Sequence, residues 1–192
     1  MLENPLKQYR LNLSSVQDLE AVYIALEALT TNVVPKGELL RAELVAMVSA
    51  LDTYVHDIVR EGLKHQYTNG THNMHLNHII STNQITSSTS LDNKIREING
   101  YKSFQAPKKI KAAFEQIGIL DIWAKVETAL PNAEDTVSRI VDRRNLIAHE
   151  SDINPANGLG EKWPITLPHV QQVVTNIDRI VNILDSIAQQ EL

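Results

Sequence analysis

The chain has 192 residues, 43% of them apolar and 21% charged, with a formal net charge of −5 and no cysteine. That is enough for one domain with a proper core and describes an ordinary globular composition. The acidic balance argues against a broad, sequence-independent coat on nucleic acid but leaves room for a small local phosphate site, while the lack of cysteine excludes disulfides, thiolate metal sites and cysteine nucleophiles.

The segment from Met1 to Lys7 carries no apolar core of signal-peptide length, and no apolar run approaches the ~20 residues of a membrane span. A cytoplasmic protein is expected, in keeping with the absence of cysteine. The whole chain, 1–192, reads as one all-α domain: an N-terminal helix and break over 14–36, then a core over 37–192. Ser14 or Ser15 is placed to cap a helix to about Leu29, with Val16, Leu19, Val22, Tyr23, Leu26 and Leu29 apolar. Thr30 to Lys36 is a break, helped by Pro35. Gly37 leads into a long helical pattern over about Glu38 to His65. Its stripe of Leu40, Leu44, Val48, Leu51, Val55, Ile58 and Val59 marks the central core helix. Asp52 stands at the shoulder of that stripe, either as a solvated flank residue or as a carboxylate reaching a buried cation elsewhere.

Gln66 to Ser90 is rich in Asn, Thr, Ser and His and ends in the low-complexity run Thr86-Ser87-Ser88-Thr89-Ser90. It reads as a polar loop or a short, poorly anchored helix. His72, His75 and His78 drift by about 60° per step on a helix, so their rings fan apart and no metal site is expected. Short helices follow over Leu91 to Ile98, ended by Asn99-Gly100, and over Pro107 to about Ile117, with Pro at N1 and Gly118 as stop. Lys108, Lys109 and Lys111 make the first turn of the latter basic, against the helix dipole; such a turn is a binding surface or simply a solvated face. Asp121 caps a third short helix, which Pro131 and Asn132 close.

The next helix starts near Ala133 and carries the chemistry. Val137, Val141 and Ala148 project onto one stripe, and Arg144 falls in its middle. An arginine among core-facing residues requires a partner or a cleft. Ser138, Asp142, Asn145 and His149 share a neighbouring polar face. One helix thus offers a fixed cation, an amide and an imidazole, an anion site beside a proton carrier; a cation and a His that merely favour the helix C-terminus are the plainer alternative. Ser151 to Trp163 is an irregular Asn-, Pro- and Gly-containing loop, bounded at about 165, that begins two residues past His149 and is placed to shape or cover the site. Trp163 is expected to pack. Pro168 opens a last helix to about Gln190, with Val170, Val174, Ile177, Val181, Leu184 and Ala188 on a near-heptad stripe. No strand pattern and no internal repeat is present.

Arg144-Asn145-Leu146-Ile147-Ala148-His149 resembles the Arg-x4-6-His signature of HEPN domains. With the early helix Leu40 to Val55 and the closing helix, the likeness runs from about Leu39 to Leu184 and is nearest the RiboL-PSP-HEPN branch. The resemblance implies an all-α HEPN-like bundle, usually dimeric, in many cases a metal-independent endoribonuclease of toxin–antitoxin, anti-phage or RNA-processing systems. Other HEPN domains are non-catalytic modules that bind a partner protein, RNA or a nucleotide ligand. It implies Arg144, Asn145 and His149 as catalytic residues, supported by Asp52, Asp142 and Arg143. Lys108, Lys109, Lys111 and Arg139 become the candidate RNA contacts. No cofactor is expected; RNA, a second copy of the chain and possible antitoxin or partner proteins are. Arg144 and His149 project roughly 140° apart, so one regular helix does not aim both at one atom. HEPN domains resolve this with two motif helices meeting across a two-fold axis, and a symmetric dimer is the commonest assembly.

Overall fold

A computed structural model describes residues 3–29 and 36–192 and contains eight α-helices and no strand among them. They are α1 (Glu3–Leu29), α2 (Gly37–Asn69), α3 (Met74–Asn83), α4 (Ser88–Asn99), α5 (Pro107–Gln116), α6 (Ile122–Ala129), α7 (Ala133–Glu150) and α8 (Leu167–Glu191). The all-α class expected from periodicity is the class observed. None of the helices among the described residues is long and apolar enough to cross a membrane.

The bundle is built around α2, which touches α1, α4, α5, α7 and α8. Its stripe of Leu40, Leu44, Val48, Leu51, Val55, Ile58 and Val59 is buried throughout. Each such aliphatic side chain contributes roughly 1.5–3 kcal/mol relative to leaving it in water. α2 runs four residues past the expected end at His65, to Asn69. Gly70, at φ 71°, supplies the left-handed residue that closes it.

One element differs from the sequence reading, and another decides between its alternatives. α1 begins at Glu3, so Ser14 and Ser15 are not caps but mid-helix residues, and the Ser15 hydroxyl donates to the Leu11 carbonyl. Pro5 falls in the first turn, where a missing N–H is tolerated. The break expected over Thr30 to Lys36, with Pro35, lies outside the described residues except for Lys36. The polar segment 66–90, read as a loop or a short, poorly anchored helix, takes the helical alternative over most of its length. It holds α3, started by Asn73, whose side chain accepts from the Leu76 N–H at 2.8 Å, and anchored by buried Leu76 and Ile79. The serine run is the start of α4: Ser87 and Ser90 form a reciprocal capping box.

α7 packs through Ala133, Val137, Ile140 and Val141. Ala148, expected on the same stripe, is exposed, whereas Arg143 to Ile147 before it are half-buried. α8 lies along α2 and is buried at Val170, Val173, Ile177, Ile180, Val181, Leu184 and Ala188. The 151–166 connection is more regular than expected. Trp163 N–H donates to the Asp152 carbonyl and Asn154 N–H to the Glu161 carbonyl, both at 2.8 Å, around an isolated antiparallel bridge of Ile153 with Lys162.

Candidate active site at the end of the motif helix

Glu134 and Asp135 in the first turn of α7 and His149 in the last match the sign of the helix dipole at each end. Arg144 is half-buried. Its Nη1 donates to the Asn145 side-chain oxygen at 3.2 Å, and its Nε is buried without a partner. No described carboxylate lies within ion-pair distance of it. Asn145 thus steadies a guanidinium whose charge is left uncompensated. His149 and Asp142 are exposed on the same face of α7. The structure brings Arg144 and Asn145 together, whereas His149 leaves the helix about 140° around and about 7.5 Å further along the axis.

Arg143, Arg144's neighbour, is occupied differently. Its Nη2 donates to Asp152 Oδ2 at 2.9 Å and to the carbonyls of Trp163 and Pro164 at 3.4 and 3.3 Å. The same Asp152 oxygen accepts from Arg41 Nε at 2.6 Å, and Arg41 Nη2 donates to the Trp163 carbonyl at 2.7 Å. Burial pulls the Arg143 guanidinium below its usual pKa; the Asp152 carboxylate opposes that and Arg41 adds to it. Asp152 is fully buried at the turn that ends α7, with Ser151 and Asp152 both left-handed at φ 53° and 61°. One carboxylate between two arginines therefore clips the 151–166 segment to α2 and α7, immediately beyond His149. Arg143, expected as a supporting residue, is one of the two arginines that hold this clip. Trp163 is held through its backbone carbonyl, and its ring is 38% exposed rather than packed away. Arg41 and Asp152 were not singled out from sequence. The available signal was an arginine inside the apolar pattern of α2 and an acid three residues past the motif histidine, 111 positions apart.

Asp52 does not reach Arg144 within the chain. Its carboxylate accepts from the Phe104 N–H at 2.5 Å and from Gln105 Nε2 at 3.3 Å, holding the α4–α5 connection against α2. The short side chain meets the nearer donors, and Arg144 is left unpaired. The basic turn of α5 is also less cationic than its sequence: Lys108 lines a cavity with Glu127, Glu134 and Asp135, and Lys111 lies 4.0 Å from Glu115 and 3.9 Å from Asp121. Lys109 is exposed. Arg139 is exposed and pairs with Asp135 at 3.0 Å, one turn away. Its other neighbour is a cleft between α7 and α8. His75 is half-buried; burial holds it below the usual imidazole range, with Lys102 and His78 adding to the shift. Among the described residues no group of three or more His, Asp or Glu side chains is arranged to hold a metal.

The family model described as RiboL-PSP-HEPN matches residues 11–190, nearly the whole chain and every element above. The chain belongs to the RiboL-PSP-HEPN family. No curated protein and no solved structure gives a match. HEPN domains are often ribonucleases, so membership marks this bundle as a nuclease or RNA-related module. In this HEPN chain the Arg-x4-6-His segment is the exposed end of α7, stiffened from behind by the Arg41–Asp152–Arg143 clip.

Proposed function

We propose that this HEPN domain is a metal-independent RNA endonuclease, working in a composite cleft between two copies of the chain. The carrying observation is Arg144: a half-buried guanidinium with no described acid partner, held by Asn145, in the same last two turns of α7 as an exposed imidazole. A purely structural bundle has no use for that uncompensated charge. Arginine presents a permanent charge and a planar fork to a phosphodiester, and histidine exchanges protons near neutral pH.

In this scheme Arg144 holds the scissile phosphate and neutralises charge as the phosphorane forms. Asn145 positions Arg144. An imidazole of His149 takes the proton from the ribose 2′-hydroxyl, the 2′-oxygen attacks phosphorus, and the 5′-oxygen leaves with a proton from an imidazole. The products are a 2′,3′-cyclic phosphate and a 5′-hydroxyl. The roughly 140° between Arg144 and His149 favours a second copy that brings its own α7 to the same phosphate. A toxin–antitoxin or anti-phage setting, with a partner protein restraining the activity, is consistent with such an enzyme.

The test is a digest of mixed RNA in the presence of EDTA. Wild type is expected to cleave RNA, to leave DNA intact and to be unaffected by EDTA. His149→Ala is expected to lose about 10²–10⁴-fold in rate while keeping its helical content, as removal of a general acid–base group does. Full cleavage by His149→Ala would remove His149 from the mechanism. Inhibition by EDTA would replace the proton-transfer scheme with a metal-dependent one.

A further inference from the structure

α7 and α8 part over α2 to leave a cleft of about 580 Å³. That is the size range of sites that take a nucleotide-sized ligand. Its floor is apolar, from Leu44, Ile140 and Val173, and its rim carries Arg139, Arg143 and His169. Among the described residues no carboxylate lines it, in a chain of net charge −5 and in contrast to the acid-lined cavity beside Lys108. Arg143 uses only Nη2 in the Asp152 clip, and among the described residues Arg139 pairs with the exposed Asp135 through Nη2. Both guanidiniums therefore retain donors for an anion at the rim.

Position links the cleft to the site at the end of α7. Around the helix axis Arg144 lies about 100° from Arg143 in one sense, and His149 lies about 120° from it in the other. Arg144 and His149 thus flank the side of α7 that lines the cleft. Over these turns Leu146 and Ile147 are only half-buried and Ala148 is exposed, so the path across the helix is open.

We infer that the α7–α8 cleft is a subsite for a nucleotide of the RNA strand flanking the scissile phosphate. The base or sugar lies on the Leu44–Ile140–Val173 floor, and a phosphate meets Arg139, Arg143 and His169. This rests on RNA being the substrate, and it assigns to the chain a second contact, outside the Arg144–His149 motif, that fixes where along the strand the cut falls.

The double variant Arg139→Ala/His169→Ala tests it, since both side chains are exposed and the only ion pair lost is the Arg139–Asp135 pair at the surface. Two probes are titrated by fluorescence anisotropy and calorimetry: a 2′-O-methyl RNA 12-mer, which resists cleavage, and adenosine 5′-monophosphate. The double variant is expected to bind the 12-mer about tenfold more weakly than wild type, with a shallower salt dependence. Unchanged affinity for the 12-mer overturns the subsite. Loss of monophosphate binding alone also overturns it, in favour of a site for a free nucleotide. Cleavage of natural RNA by wild type is followed in parallel. If wild type binds the 12-mer through the cleft but cuts nothing, the cleft is an RNA contact while the nuclease reading, and with it the role beside a scissile phosphate, fails; if it cuts RNA while the variant binds normally, the nuclease reading stands and the subsite fails.

Discussion

Glu43 is the most exposed to challenge of the buried side chains, in the chemical sense. It sits on α2 at zero accessibility, and neither carboxylate oxygen has a hydrogen-bond partner. Desolvation, with Glu20 adding, raises its pKa from 4.5 to about 7. Below pH 4.5 the group is neutral whether the chain is folded or not. Between 4.5 and about 7 the unfolded chain releases the proton and the folded one keeps it, so stability falls as pH rises through that window. Glu43→Gln is expected to flatten this part of the curve and to leave the protein more stable than wild type at pH 8. Thermal melts at pH 5 and pH 8 decide it; equal slopes for the two proteins would show that Glu43 is not the titrating group. Another buried acid, Asp185, is raised by burial and receives the Tyr54 hydroxyl at 3.2 Å, so it has the partner that Glu43 lacks.

Among the elements, the 151–166 segment depends on one residue. Asp152→Ala leaves Arg41, itself only 9% exposed in its side chain, and Arg143 without their shared carboxylate. Removing one partner of a buried ion pair typically costs about 3–5 kcal/mol. The expected outcome is a clear fall in melting temperature together with faster amide exchange in 151–166. An unaltered melt would mean the clip contributes nothing to holding the segment. The elements also show what was legible in the sequence. α2, α7 and α8 declared themselves because their apolar positions recur at helical spacing over many turns, and the Arg-x4-6-His segment was visible as contiguous residues. For α3 the sequence left a loop and a short helix both open, because its anchors are just two buried aliphatics, Leu76 and Ile79, in a segment whose remaining residues are mostly polar. The early start of α1 was hidden because serines that commonly cap helices lie in its middle. The Arg41–Asp152–Arg143 clip and the placing of Asp52 against Phe104 depend on which distant elements meet, which local periodicity does not carry.

At the scale of the whole molecule, a net acidic chain presents on α7 a cleft with no described carboxylate in its lining and a half-buried Arg144 without a described acid partner. Local positive sites on an acidic body suit selective contact with a few phosphates rather than coating of nucleic acid. In the proposed mechanism the roughly 140° between Arg144 and His149 favours a second copy of the chain on chemical grounds as well as by assembly preference. The decisive measurement mixes two inactive proteins. Arg144→Ala keeps its imidazole and His149→Ala keeps its guanidinium, so a heterodimer of the two has an intact pair only if the residues act across the two-fold axis. Co-refolded Arg144→Ala and His149→Ala are predicted to regain RNA cleavage in EDTA that neither shows alone. If the mixed dimer forms and remains as inactive as its parents, the composite site is wrong.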